Sequence, residues 1–161
     1  MNRDEPIGER LARIALAGEA LTRLSPMLEA DRAQAVADLQ AENTFAPDGV
    51  ADGPYSLVLS IHQSRLVFDI RRLDDTPLLA IGLELGPFRG LIKDYQFLVE
   101  SHSKAVDEGR EERIQAIDMG RRGLHNEAAQ LMQQRLEGKI AIDFTTARRL
   151  FTLICVLHQR A

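Results

Sequence analysis

The residues best equipped for chemistry in this 161-residue sequence stand in one run, Asp118-Met119-Gly120-Arg121-Arg122-Gly123-Leu124-His125-Asn126-Glu127. At about 100° per residue a helix places Asp118, Arg122 and His125 on one flank. On such a flank an aspartate can orient a histidine for acid/base work while an arginine clamps an anion. The ordinary alternative is a surface ion pair between Asp118 and Arg122, with His125 filling a boundary position; such pairs contribute about 0.2–0.5 kcal/mol. Arg121 falls instead within the apolar face of Ile114, Ile117, Leu124, Ala128, Leu131 and Met132. A guanidinium there is costly unless paired, so Arg121 reads as a structural buried charge that must meet a carboxylate or a cluster of carbonyls.

Gly120 and Gly123 complicate a helical reading, because each costs about 1 kcal/mol relative to alanine in a helix interior. They predict a break, or close approach by another backbone or a ligand. A Gly-x-x-Gly turn with basic middle residues is also how KH domains clamp an RNA backbone. Asn126 stands where that pattern wants an apolar residue, and the net charge of −4 supplies no basic footprint. Nucleic acid is therefore not the expected partner.

Elsewhere the chemistry is sparse. His62, His102 and His158 read as packing or boundary residues. Neither paired histidines, nor Cys-x-x-Cys, nor a phosphate-binding glycine loop occurs, so no metal and no cofactor are expected. Seventeen of the twenty basic residues are arginine, and Arg71-Arg72, Arg121-Arg122 and Arg148-Arg149 form three pairs that folding can gather into one anion pocket, although long charged side chains ordinarily lie exposed and surface placement is the favoured reading. Arg149 joins Asp118, Arg122 and His125 as a ligand-binding candidate. The lone Cys155, set among Leu153, Ile154, Val156 and Leu157, reads as buried and inert in a reducing compartment. No apolar run approaches a membrane span and Met1 to Pro6 lack a signal-peptide core, which predicts a cytoplasmic protein with no membrane contact.

These residues need elements to position them. Residues 1–27 admit two readings: Leu11, Ile14, Leu21 and Leu24 form a helical stripe, while Ile14 and Leu16 alternate like a strand, and Pro26 ends either version. Leu28 to Glu42 reads as a helix with Val36 and Leu39 inward. Phe45 to Pro54 is turn chemistry. Three runs of period-two alternation follow, through Tyr55–His62, Arg65–Arg71 and Leu78–Leu85, the signature of an antiparallel meander. Val58, Val67, Leu78 and Ala80 make its second face less polar than a wet one, so the N-terminal segment or a partner chain should cover it, and a homodimer is compatible with that. A helix carries the stripe Phe88, Leu91, Ile92, Tyr95, Leu98, Val99 and Val106, and a second runs from Glu111 toward Leu136. Ile140–Ile142 reads as a fourth strand. Asp143 then caps a last helix, apolar nearly all round and therefore central. The expected fold is α+β: one domain over 1–161, a meander of three to four strands plus an N-terminal strand or arm, packed against three to four helices.

Several stretches together resemble an uncharacterised UPF-type protein family of alphaproteobacteria: Asp52-Gly53-Pro54-Tyr55, Leu66 to Arg71, Lys93-Asp94-Tyr95, Ile117 to Glu127, and Ala147 to His158. The resemblance spans Glu29 to His158 and implies a bacterial cytosolic protein. For the N-terminal stretch it implies a strand. It brings no activity and no catalytic residues. The residues themselves favour a non-catalytic binding or regulatory domain for an anionic ligand or protein partner. The alternatives are a small enzyme using His125 with Asp118 and Arg122, and RNA binding through Gly120 to Gly123.

Overall fold

The computed structural model describes residues 8–17, 25–50 and 53–158. Strand β1 (Leu11–Leu16) is followed in the sequence by helix α1 (Pro26–Ala41) and the short strand β2 (Phe45–Pro47). Strands β3 (Tyr55–His62), β4 (Arg65–Arg71) and β5 (Pro77–Glu84) form the alternating meander. A single 3-10 turn at Gly86–Phe88 precedes α2 (Arg89–Asp107), followed by α3 (Glu111–Leu136), β6 (Ile140–Ile142) and α4 (Phe144–His158).

The main sheet has the order β1-β3-β4-β5, so the architecture is α+β. It is mixed rather than purely antiparallel, because β1 pairs parallel to β3, Ile14 opposite Leu57. A parallel pair needs a crossover of a dozen or more residues, and the passage through α1 and β2 supplies it. The N-terminal stretch is thus a strand at Leu11–Leu16, while Leu21 and Leu24 of the helical alternative lie outside the described residues, as do Met1 to Pro6. β1 extends the edge of the sheet and does not cover its second face, where Val58, Val67 and Leu78 are half-buried.

Two further expectations change. Pro26 starts α1 instead of stopping an element: it occupies the first turn, where its missing N–H costs nothing, and the Ser25 hydroxyl accepts from Leu28 N–H at 3.3 Å. The stretch read as turn begins with a strand, since Phe45–Pro47 pairs antiparallel with β6. Ile140–Ile142 is therefore a strand outside the main sheet. The core lies between the inner sheet face of Leu57, Leu59, Leu66, Phe68 and Ile70, all fully buried, and the helices. As its composition demands, α4 is central, with Leu150, Phe151, Leu153, Ile154, Cys155 and Val156 fully buried. It packs against both α1 and α3, and that arrangement of three helices builds the site.

Candidate functional site

A cleft of about 420 Å³ lies between α1, α3 and α4. Helix α3 contributes Asp118, Arg121, Arg122 and His125. Helix α4 contributes Thr145, Arg148, Arg149 and Thr152, spaced three and four apart along one face. Across from them α1 presents Asp31, Gln34, Ala35 and Asp38. All four sequence candidates, Asp118, Arg122, His125 and Arg149, line this cleft, and two of the three arginine pairs meet in it. The third stays away: Arg71 donates from Nη2 to Asp69 at 2.9 Å on the sheet. Lys93 is an exposed residue outside the cleft's lining.

Helix α3 continues through Gly120 and Gly123 without interruption. No turn exists there, so the KH-like clamp is not formed. At Gly120 a Cβ would stand at ordinary contact distance, 3.7 Å, from Leu98 on α2, and at Gly123 it would meet nothing. Helix α3 buries Ile117, His125, Ala128, Ala129, Met132 and Leu136, while Leu124 and Leu131 are half-buried. The stripe turns toward α4, so His125 faces its neighbour helix rather than solvent.

Arg121 is the structural charge of the cleft. Its side chain is 21% exposed and its Nη2 donates to Asp31 Oδ2 at 2.8 Å. The same carboxylate oxygen accepts from the Tyr95 hydroxyl at 2.5 Å. Burial, and then the Asp31 charge, push the Tyr95 phenol well above its ordinary range, so it stays protonated and donates. Asp118 approaches Arg121 Nη1 at 3.6 Å. The carboxylate thus leans on Arg121, and the alternative surface pair with Arg122 is not made.

His125 is 8% exposed and both ring nitrogens are engaged. Nδ1 lies 2.8 Å from the Arg121 carbonyl, which can only accept, so Nδ1 carries the hydrogen. Nε2 then accepts from the Thr152 hydroxyl at 3.0 Å. Tyr95 and Phe151 meet the imidazole edge to face, with centroids at 5.6 and 5.8 Å. Burial holds the His125 pKa below the usual imidazole value, and the Arg121 and Arg148 cations push the same way against the Arg121 carbonyl. The ring is neutral at pH 7. Neither nitrogen bonds Asp118, so the proposed Asp–His dyad is absent.

Four arginines and three aspartates line the cleft, leaving an excess of one positive charge. The pairing is uneven. Arg149 Nε stands 3.7 Å from Asp38 Oδ2, a loose contact. Gln34 occupies the other oxygen of that carboxylate, donating from Nε2 at 2.9 Å. Arg122 and Arg148 make no ion pair among the described residues, and in this cleft both Arg148 Nε and Arg121 Nε are buried without an acceptor. Buried donors are almost always satisfied, so each N–H marks a place where an acceptor belongs.

Sequence reasoning named Arg148 only as half of an arginine pair, and did not select Thr152 or the α1 residues Asp31, Gln34 and Asp38. For the α1 residues the signal was available as a polar stripe at three- and four-residue spacing beside the apolar line of Leu28, Ala35 and Leu39. Outside the cleft, Cys155 is fully buried, and burial raises its thiol pKa well above the ordinary value. Among the described residues no cluster of His, Cys, Asp and Glu suits a metal ion, and no helix is long and apolar enough to cross a membrane.

Fold and cleft together define a small α+β protein with an arginine-lined cleft among three helices. The chain belongs to the uncharacterised protein family UPF0262, whose model matches residues 8–160. It is 66% identical over 160 residues to a UPF0262 protein of Granulibacter bethesdensis, covering 94% of this chain and 91% of the relative. A relative from Acidiphilium cryptum is 57% identical over 152 residues, with 94% of each chain covered. One from Paramagnetospirillum magneticum is 49% identical over 155 residues, covering 96% of this chain and 99% of the relative. No solved structure matches the chain.

Proposed function

We propose that this protein is a non-catalytic binding or regulatory domain that takes a small anion into the cleft between α1, α3 and α4. One observation carries the reading. Arg122 and Arg148 bring guanidinium groups to a shared cleft with no carboxylate partner among the described residues, while Arg121 is held by Asp31 and Arg149 stands only loosely against Asp38. The alternative of a small enzyme using His125 with Asp118 and Arg122 has less behind it: His125 is buried, with Nδ1 donating to a carbonyl and Nε2 engaged by Thr152, and neither nitrogen meets Asp118. The cleft volume of about 420 Å³ falls in the range of small-molecule sites.

Calorimetric titration with inorganic phosphate at low ionic strength tests the proposal, because exposed charge contacts are screened by salt. A single saturable site is expected, raising the melting temperature of the wild-type chain and lost in Arg148→Ala and Arg122→Ala. A wild-type chain and an Arg148→Ala chain that respond identically to phosphate would overturn the assignment.

A further inference from the structure

We infer that the ligand is a small phosphorylated polyol or sugar, with its phosphate at the Arg148–Arg149 end of the cleft and its hydroxyls toward Asp118. The inference rests on the anion-binding reading above and extends it to a chemical class. Three features of the cleft select that class.

The first is the arginine end. Arg148 stands between Thr145 and Thr152, one turn to either side on α4, and its buried Nε lacks an acceptor. Arg149 beside it is held only by long contacts, 3.7 Å to Asp38 and 3.4 Å from Nη1 to the Glu42 carbonyl. Two planar forks and a threonine hydroxyl suit a group with several oxygens and more than one negative charge. A phosphate monoester supplies three such oxygens, where a carboxylate supplies two and one charge.

The second feature is the opposite end. Asp31 and Asp38 lie seven residues apart on α1 and face Arg121 and Arg149 respectively. At 1.5 Å rise per residue the two ends are about 10 Å apart. At the Arg121 end the Asp118 carboxylate is 48% exposed, and its nearest cation, at 3.6 Å, is beyond ordinary hydrogen-bond length. Asp38 at the other end sits as loosely against Arg149 but has Gln34 on its second oxygen, so Asp118 is the carboxylate left to take hydroxyl donors. The Gln34 side-chain carbonyl adds an acceptor on the way.

The third feature is what the walls offer. The described lining is polar except for Ala35, and no Phe, Tyr or Trp belongs to it. Nucleobases are commonly gripped by stacking on aromatic faces, and a nucleotide here would have only guanidinium planes for its base to lie on. Hydroxylated carbon skeletons need none.

The experiment compares inorganic phosphate, ribose phosphate, unphosphorylated ribose and adenosine monophosphate by calorimetry on the full chain, its Asp118→Asn variant and its Arg148→Ala variant. Circular dichroism melts check that each variant is folded. Ribose phosphate should bind about tenfold more tightly than inorganic phosphate, as expected for added hydrogen bonds to a carboxylate. Asp118→Asn should close that gap between ribose phosphate and inorganic phosphate. Arg148→Ala should remove both, and ribose alone should not bind. If phosphate binds and ribose phosphate binds no better, or the nucleotide binds more tightly than ribose phosphate, the sugar-phosphate inference falls while anion binding stands. If none of the phosphates binds the folded wild-type chain, both fall.

Discussion

Replacing Asp31 should destabilise the protein more than any other single change in the cleft. Its carboxylate accepts from Arg121 at 2.8 Å and from Tyr95 at 2.5 Å, and only 18% of its side chain is exposed. In Asp31→Ala the guanidinium keeps Asp118 at 3.6 Å as its one remaining counter-charge, and the buried Tyr95 hydroxyl loses its acceptor. Removing one partner of a fully buried pair costs about 3–5 kcal/mol. Partial exposure of both groups lets water relieve some of this, which sets the expectation at roughly 2–4 kcal/mol. For a chain of this length that corresponds to a fall in melting temperature of about 4–16 °C. Urea denaturation should show a lower midpoint at an unchanged slope, the signature of lost stability without an altered denatured state. Adding Arg121→Met should recover part of the loss, because the charge left uncompensated is removed with it. A loss below about 1 kcal/mol would refute the structural role given to this triad, since surface pairs already reach that value.

Gly123→Ala should raise stability by about 0.5–1 kcal/mol, seen as a higher melting temperature, because α3 is continuous there and the added methyl meets open space; a decrease would show that the helix breaks at this residue. Stability should fall as pH drops below the ordinary imidazole value of about 6.5. His125 and His158 both have depressed pKa values in the folded state, chiefly through burial, so the unfolded chain takes up protons first. Urea midpoints measured from pH 7.5 downward should show the decline, and His125→Gln should flatten it; an unchanged slope in that variant would contradict the burial argument. Cys155 should resist thiol reagents in the native protein and react only on unfolding, with labelling rates tracking denaturant concentration.

Much of the fold was readable because local pattern determines it. The alternation through β3, β4 and β5 fixes which residues face inward, and the nearly all-apolar α4 can only be central. Pairing direction is not local. Nothing in Leu11–Leu16 announces that β1 runs parallel to β3, and Pro47 disguised a strand whose partner, β6, lies far along the chain. The same limit governs the site. Helical geometry alone grouped Asp118, Arg122 and His125 on one flank of α3. Whether that flank met water or another helix depended on α4, which covers His125 and supplies Thr152. The carboxylate required by Arg121 is Asp31, 90 residues away, and no spacing rule reaches across that distance.

The most direct test of the anion-binding cleft follows the Arg148 side chain itself. Its Nε–H, buried and lacking an acceptor, should give a distinct resonance in a proton–nitrogen correlation spectrum at low ionic strength. Titration with inorganic phosphate should move that signal along one saturable curve while Arg65 and Arg71, paired on the sheet with Glu84 and Asp69, stay in place. An Arg148 signal that does not shift, or that drifts without saturation in step with Arg65 and Arg71, would contradict the assignment of this cleft as the binding site.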